Sequence, residues 1–228
     1  MDKLESLSRR MADVARALQE EQGSIATMDM AVSLAIDVVP GAEDASISLV
    51  HRARIVESPA FTSERAAVID RIQQEVGEGP LLSDVWDQEV ISCADLATET
   101  RWGDWGPRAS KETGIQSMLC FRMFAQKNRL GALCLYSTLP NAFVYADVES
   151  GISLAAHTAI AVIVAQNDET KDIALDSRSL IGQATGIAME RYGIDAVRAF
   201  AVLKRISQDS NVKLHEVAAE LIRTRSLP

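Results

Sequence analysis

The sequence predicts an α+β protein: an antiparallel sheet with packed helices, followed by an all-α tail of three helices. Three observations predict it. Segments with the two-residue period of strands cluster between Ala45 and Tyr136, interleaved with helical stretches. After Pro140 the period becomes helical and stays so. The last fifty-odd residues carry three separate apolar helical faces, enough to close one small core. At 228 residues, 47% hydrophobic and 24% charged, the chain has the composition of an ordinary globular protein and room for two modest domains.

Taken in order, Leu4, Leu7, Met11, Val14 and Leu18 form a 3-4-3-4 apolar stripe on a first helix that ends by Gly23. Such a stripe either docks on its own domain or pairs with a second copy. Met28 to Val39 reads as a second helix, stopped by Pro40-Gly41. Ala45 to Val50 alternates small or polar with apolar residues, the pattern of a half-buried strand, with Arg54 to Glu57 as its hairpin partner. Thr62 to Val76 is helical through Ala66, Ile69 and Ile72, and Gly77-Glu-Gly-Pro80 breaks it. Glu89 to Cys93 is a short strand, and Trp102 to Pro107 is a glycine- and tryptophan-rich loop. Ser117 to Phe124 and Arg129 to Tyr136 flank a Gln126-Lys127-Asn128 turn. Beyond Pro140, Val148, Ile152, Ala155, Ala159 and Val162 repeat at helical spacing until a polar joint, Gln166 to Asp172, where a domain boundary is expected.

Composition also excludes functions. No run of 18 apolar residues occurs, so no membrane span is expected. The charged start lacks the apolar core of a secretory signal, and three cysteines without a disulfide framework suit a reducing cytoplasm. Cys93, Cys120 and Cys134 are odd in number and far apart; they fit no zinc motif and no disulfide framework, and read as small buried hydrophobes. His51, His157 and His215 lie in unrelated settings, so no nucleophile and base are clustered and no enzyme is expected. The net charge of −9 is uneven. From Ile173 onward eight Lys/Arg face six Asp/Glu, whereas the preceding residues hold fifteen against twenty-six.

In the tail, Leu180, Ile181, Ala184, Ile187 and Ala188 form the first apolar face, ended by Tyr192-Gly193. Asp195 is the expected N-cap of the second helix, which buries Ala196, Ala199, Phe200, Leu203 and Ile206. A polar turn, Ser207 to Asn211, leads to a third helix with Leu214, Val217, Ala218, Leu221 and Ile222. Gly182 and Gly186 lie inside the first of these helices, each costing about 1 kcal/mol relative to alanine. Close approach of another backbone, from a neighbouring helix or a nucleic acid, would account for them.

Gly77-Glu-Gly-Pro80, Asp95-Leu96, Arg101-Trp102, Gly114 to Ser117 and Leu130-Gly131 to Tyr136 follow one another in an order that resembles bacterial GAF domains. The resemblance implies a small-molecule sensor or a dimerising scaffold and leaves ligand and cofactor unknown. Relatives often carry a cysteine after the Gly-Pro pair; Leu81 stands there instead. Trp86, Trp102, Trp105 and His51 are the candidates for lining a ligand pocket, with core or rim packing as the alternative role.

Ser177 to Arg191, Ala199-Phe200, Leu203, Ser207, Asn211, Lys213-Leu214 and Val217-Ala218 resemble the ANTAR family. That resemblance implies binding of paired RNA stem-loops in nascent transcripts and antitermination. The implied RNA-binding residues are Arg178, Gln183, Ala184, Thr185, Gly186, Arg191, Lys204, Arg205, Ser207, Asn211 and Lys213. Arg178, Arg191, Lys204 and Arg205 are the phosphate candidates; Ser207 and Asn211 carry groups able to read bases in loops. Asn211 could equally cap the third helix, and Lys204 and Arg205 could be solvated charges. Thr185 replaces a longer polar or basic residue of the relatives. The division expected is an amphipathic helix (1–22), a GAF sensor (23–165), a helical linker (166–175) and an ANTAR domain (176–228). A homodimer would place two tails on two stem-loops. The rival is a dimeric ligand-binding or scaffold protein whose tail docks protein or DNA.

Overall fold

Five antiparallel strands form one sheet in the order β2-β1-β5-β4-β3. They are β1 (Asp44–His51), β2 (Val56–Phe61), β3 (Val90–Cys93), β4 (Ser117–Gln126) and β5 (Arg129–Ser137). Among the described residues, seven α-helices accompany them: α1 (Asp2–Glu20), α2 (Ser24–Val38), α3 (Glu64–Val76), α4 (Trp105–Thr113), α5 (Tyr145–Tyr192), α6 (Ala196–Ser210) and α7 (Leu214–Thr224). The computed structural model describes residues 2–51, 55–83, 87–126 and 129–226. The chain divides into two compact units, Met1–Gln166 and Asn167–Pro228.

In the first unit the sheet is buried on both faces. On β5, Leu133 and Leu135 point to a core shared with α1, α2 and the start of α5. Leu130, Ala132, Cys134 and Tyr136 alternate to the other side, against α3 and α4. β1 lies between β2 and β5 and is buried over nearly its whole length, correcting the half-buried reading. Its alternating serines, Ser46 and Ser48, face the α3/α4 core instead of water. Pro59 is tolerated in β2 because that strand is an edge. Met11, Val14 and Leu18 of α1 pack into the first core, so the N-terminal stripe docks on its own domain.

Two local readings change. The Trp102–Pro107 segment is not all loop, since α4 starts at Trp105. Pro107 sits in the first turn, where an amide has no intrahelical partner to lose. On α5 the buried face is Asp147, Ser150, Leu154, Ala155, Thr158, Ala159 and Val162, rotated from the predicted stripe so that Ile152 is exposed. Gly151 admits the Phe121 ring, which would lie 2.2 Å from an added Cβ. The polar joint does not interrupt α5; its side chains are solvated and Lys171 pairs with Asp168 at 2.9 Å. α5 includes a stretch apolar enough to be compared with a membrane span, but Leu154, Ala155, Ala159 and Val162 are spent on the sheet, as in a core helix.

The second unit is a three-helix arrangement of the end of α5, α6 and α7. Ala184, Ala188, Ala199, Leu203, Val217, Ala218 and Leu221 are its buried core. Four of the seven are alanines, so the helices approach closely and the core is thin. Gly193 ends α5 with φ +60°, a conformation that carries no penalty for glycine. The Asp195 carboxylate then accepts from the Arg198 amide at 2.8 Å and caps α6. The first tail helix is continuous with α5 through the helical linker. Two expectations are corrected. The Ser207–Asn211 turn is absorbed into α6, which runs through Ser210. Ala196 and Phe200 are exposed, because α6 buries only a narrow stripe around Ala199 and Leu203.

Candidate nucleic-acid interface

The implied RNA-binding residues fall on all three tail helices. Arg178, Gln183, Ala184, Thr185, Gly186 and Arg191 lie on α5, Lys204, Arg205 and Ser207 on α6, and Asn211 and Lys213 on the connection to α7. Arg178, Lys204 and Lys213 are exposed, and their side chains have no ion-pair or hydrogen-bond partner among the described residues. Arg205 has a loose i,i+4 pairing with Asp209 at 3.6 Å. Arg191 is committed differently: its guanidinium donates to the backbone carbonyl of Arg225, the left-handed C-cap of α7. That bond ties the end of α7 to α5.

Several polar candidates are likewise occupied within the fold. The Ser207 hydroxyl donates to the Val212 carbonyl at 2.6 Å, closing the α6–α7 connection. Asn211 is the left-handed C-cap of α6 at φ +54° and does not cap α7, whose N-cap is Lys213. The Thr185 hydroxyl donates to the Ile181 carbonyl at 2.7 Å and is thereby occupied within its own helix. Gln183 bonds Ser179 at 3.3 Å on an exposed surface. Ala184 is fully buried, which withdraws it from direct contact.

Gly182 and Gly186 are exposed, and a Cβ added at either would meet no atom within 4 Å. Among the described residues, neither α6 nor α7 fills the space beside them. Helical spacing puts them in line with Arg178, with Leu175 and Met189 beside them. The surface of α5 therefore offers a shallow, side-chain-free strip next to an unpaired cation.

In the sensor unit, Trp102 and Trp105 meet edge to face at 5.5 Å and 80° inside the α3/α4 core. The Trp105 indole donates to the Ile69 carbonyl at 3.4 Å, and the Arg101 guanidinium lies 4.3 Å over the Trp102 ring. His51 is apart from them, at the end of β1, 3.5 Å from Glu57. Trp86 lies outside the described residues. Leu81 is fully buried.

Sequence reasoning missed the polar centre of this core. Asp70 is buried, and its carboxylate accepts from Ser48, from Ser58 at 2.5 Å and from Gln73 at 3.1 Å. Burial pushes its carboxyl up to about 6 against the pull of those three donors. Gln73 in turn accepts from the Leu81 amide at 2.9 Å, and Gly79 leaves room for the Gln73 side chain, which would lie 2.3 Å from an added Cβ. The signal was present: Ala66, Ile69, Asp70 and Gln73 occupy one helical face, so two polar groups stand on the apolar stripe of α3. Nearby, the Arg101 guanidinium grips Glu99 and holds its carboxyl down at about 2. Burial, reinforced by Glu99, pushes the Cys93 thiol up to about 12.

The expectation that no cysteines pair is also corrected: Cys120 and Cys134 form a disulfide. Their distance in sequence hid a direct opposition in the β4–β5 register. Among the described residues no group of three or more His, Cys, Asp or Glu could hold a metal ion.

Comparison with known families matches residues 21–162 to the GAF domain and residues 172–222 to the ANTAR domain. No curated protein matches the chain. Among solved structures, a bacteriophytochrome from the photosynthetic bacterium R. palustris aligns at 10% identity with a TM-score of 0.58, covering 81% of this chain and 42% of that one. The Stigmatella aurantiaca phytochrome photosensory core module aligns at 11% identity and TM-score 0.60, covering 90% and 45%. The GAF domain of a phosphoenolpyruvate-protein phosphotransferase from Coxiella burnetii aligns at 12% identity and TM-score 0.54, covering 74% and 99%. This chain thus spans less than half of either phytochrome chain, and the likenesses concern the fold.

Proposed function

The chain belongs to the GAF domain family and ends in an ANTAR domain, and from that premise we propose that it is a transcription antitermination regulator whose tail engages paired stem-loops of nascent RNA. The coarse part of the statement is a sensory domain joined to an RNA-binding output, neither of them catalytic in character. The finer part is our reading. The observation that carries it is the open glycine strip, Gly182 and Gly186 in line with unpaired Arg178. Two helix-interior glycines sacrifice about 2 kcal/mol of helix propensity in all. Among the described residues of the second unit, nothing packs there to use the space. A sugar-phosphate backbone can approach such a strip closely, while Arg178, Lys204 and Lys213 supply phosphate contacts.

A second copy of the chain completes the reading. Two tails would each hold one stem-loop, and linking two weak sites raises their effective concentration. Stabilising the paired RNA fold would exclude a terminator. α5, continuous from Tyr145 to Tyr192, is the element through which the sensor would act. Gel-shift titration against a two-hairpin RNA and its single-hairpin half tests this. The two-hairpin RNA should bind at least tenfold more tightly; equal affinities overturn the paired-site reading.

A further inference from the structure

The sheet register sets Cys120 of β4 directly opposite Cys134 of β5, with Cα atoms 4.2 Å apart and the sulfurs joined. Both side chains point into the α3/α4 core and both are sealed from solvent. The β4–β5 ladder runs from Ser117 opposite Ser137 to Gln126 opposite Arg129, and its backbone hydrogen bonds do not depend on the sulfur–sulfur bond. Dithiol and disulfide forms can therefore share one fold, and the pair can change state without unfolding.

We propose that Cys120 and Cys134 are a reversible redox modification site in the sensor core, oxidised by small hydroperoxides. With no sulfur exposed, an oxidant close to water in size is favoured, and larger reagents, the dithiol reductant included, react only when the core opens locally. One thiol attacks hydrogen peroxide: the O–O bond breaks, an S–O bond forms, and the first water leaves. The opposed thiol attacks the resulting sulfenic acid: the S–S bond forms, the S–O bond breaks, and the hydroxyl leaves with the thiol proton as the second water. Two thiols and one peroxide thus become one disulfide and two waters, with two electrons passing from sulfur to oxygen. A dithiol reductant returns two electrons and two protons. Because the resolving thiol is already in place, the sulfenic acid is consumed before further oxidation.

Cys93 does not compete. It sits on β3 opposite Met118, not opposite either partner, so the register gives it no thiol to pair with. The change of state lies at the middle of the sheet. Cys134 is flanked on β1 by Ser46, whose hydroxyl is 3.1 Å from that of Tyr136, and Trp102 and Trp105 pack in the same core. Tryptophan emission is therefore an internal reporter.

The test uses the full chain, reduced with dithiothreitol, desalted, and exposed to hydrogen peroxide. Samples are then denatured, alkylated and analysed by mass spectrometry, with tryptophan emission followed in parallel. Oxidation should remove two of the three alkylatable thiols, link the Cys120 and Cys134 peptides, shift the emission, and reverse when dithiothreitol is added to the folded protein. Cys93→Ser should behave like the wild type, and Cys134→Ala should give no linked peptide. Three alkylatable thiols after tenfold peroxide, a linkage through Cys93, or a bond that dithiothreitol cannot open in the folded chain each overturn the proposal. Should Cys134→Ala fail to fold, the wild type and Cys93→Ser decide alone. No RNA is present, so the outcome is independent of the tail's role.

Discussion

Gly182 and Gly186 stand four residues apart on one exposed face of α5, and a methyl group added at either would touch nothing within 4 Å. Alanine at each should therefore stabilise the tail by up to about 1 kcal/mol. If the strip exists for RNA, the same two substitutions should weaken binding, because each methyl holds the sugar-phosphate backbone away. Urea unfolding and gel shift on Gly182→Ala and Gly186→Ala check both signs. A more stable variant with undiminished RNA affinity would mean that the strip serves another surface. Should the chain prove dimeric and lose that association at unchanged RNA affinity, the strip would be assigned to a second copy, to which exposed Leu175 and Met189 also point.

The unpaired cations should reveal themselves through salt. Each phosphate contact removed lowers the slope of log affinity against log salt by about 1. Lys204→Ala and Lys213→Ala should each do so, whereas Arg191→Ala should instead loosen the end of α7, because its guanidinium holds the Arg225 carbonyl. Binding titrations across a salt series, with circular dichroism melts beside them, separate the two effects. An unchanged slope for both lysines would remove them from the interface.

Asp70 gives the sensor unit a pH signature. Its carboxyl sits near 3.9 in an unfolded chain and at about 6 in the folded one, so the folded chain binds the proton more tightly. Its contribution to stability is greatest below about pH 4, declines as pH rises from 4 towards 6, and is constant above that range. The difference corresponds to about 3 kcal/mol. The stability of wild type minus that of Asp70→Asn should fall by roughly this amount between pH 4 and pH 7, whatever the offset between the two proteins. A flat difference across that window would show that Asp70 titrates in the folded state as it does in the unfolded chain.

How far the sequence carried depends on the range of the interactions involved. α2, α3, β4, β5 and the faces around Ala184, Leu203 and Leu221 were legible because period and caps are local. Asp70 stood in plain view on the stripe of α3, but its partner Ser48 is 22 residues away on a strand whose neighbours only the topology reveals. Cys120 and Cys134 looked unrelated until the hairpin register opposed them. Phe200 shows the limit of periodicity itself: three packed helices bury a stripe narrower than the apolar face, and a residue at its edge remains outside. In the tail, Ser207 and Thr185 looked available for recognition because the carbonyls that accept their hydroxyls, Val212 and Ile181, carry no sequence signal.

The same substitution should have opposite signs along one helix. Gly151, Gly182 and Gly186 all lie within α5, and helix propensity favours alanine by about 1 kcal/mol at each. At Gly151 the added Cβ would lie 2.2 Å from the ring of Phe121, which is 1% exposed and enclosed by the first core. The ring cannot swing into solvent, so helix or strand must move, and overpacking of that kind costs about 1–3 kcal/mol. Gly151→Ala should therefore leave the first unit at best unchanged and at worst destabilised by about 2 kcal/mol, while Gly182→Ala and Gly186→Ala stabilise the second. Denaturant unfolding of the three variants in parallel checks the contrast. A gain at Gly151 as large as that at Gly182 would mean that the Phe121 ring does not press on α5, and the packing between this helix and the sheet would need to be redrawn.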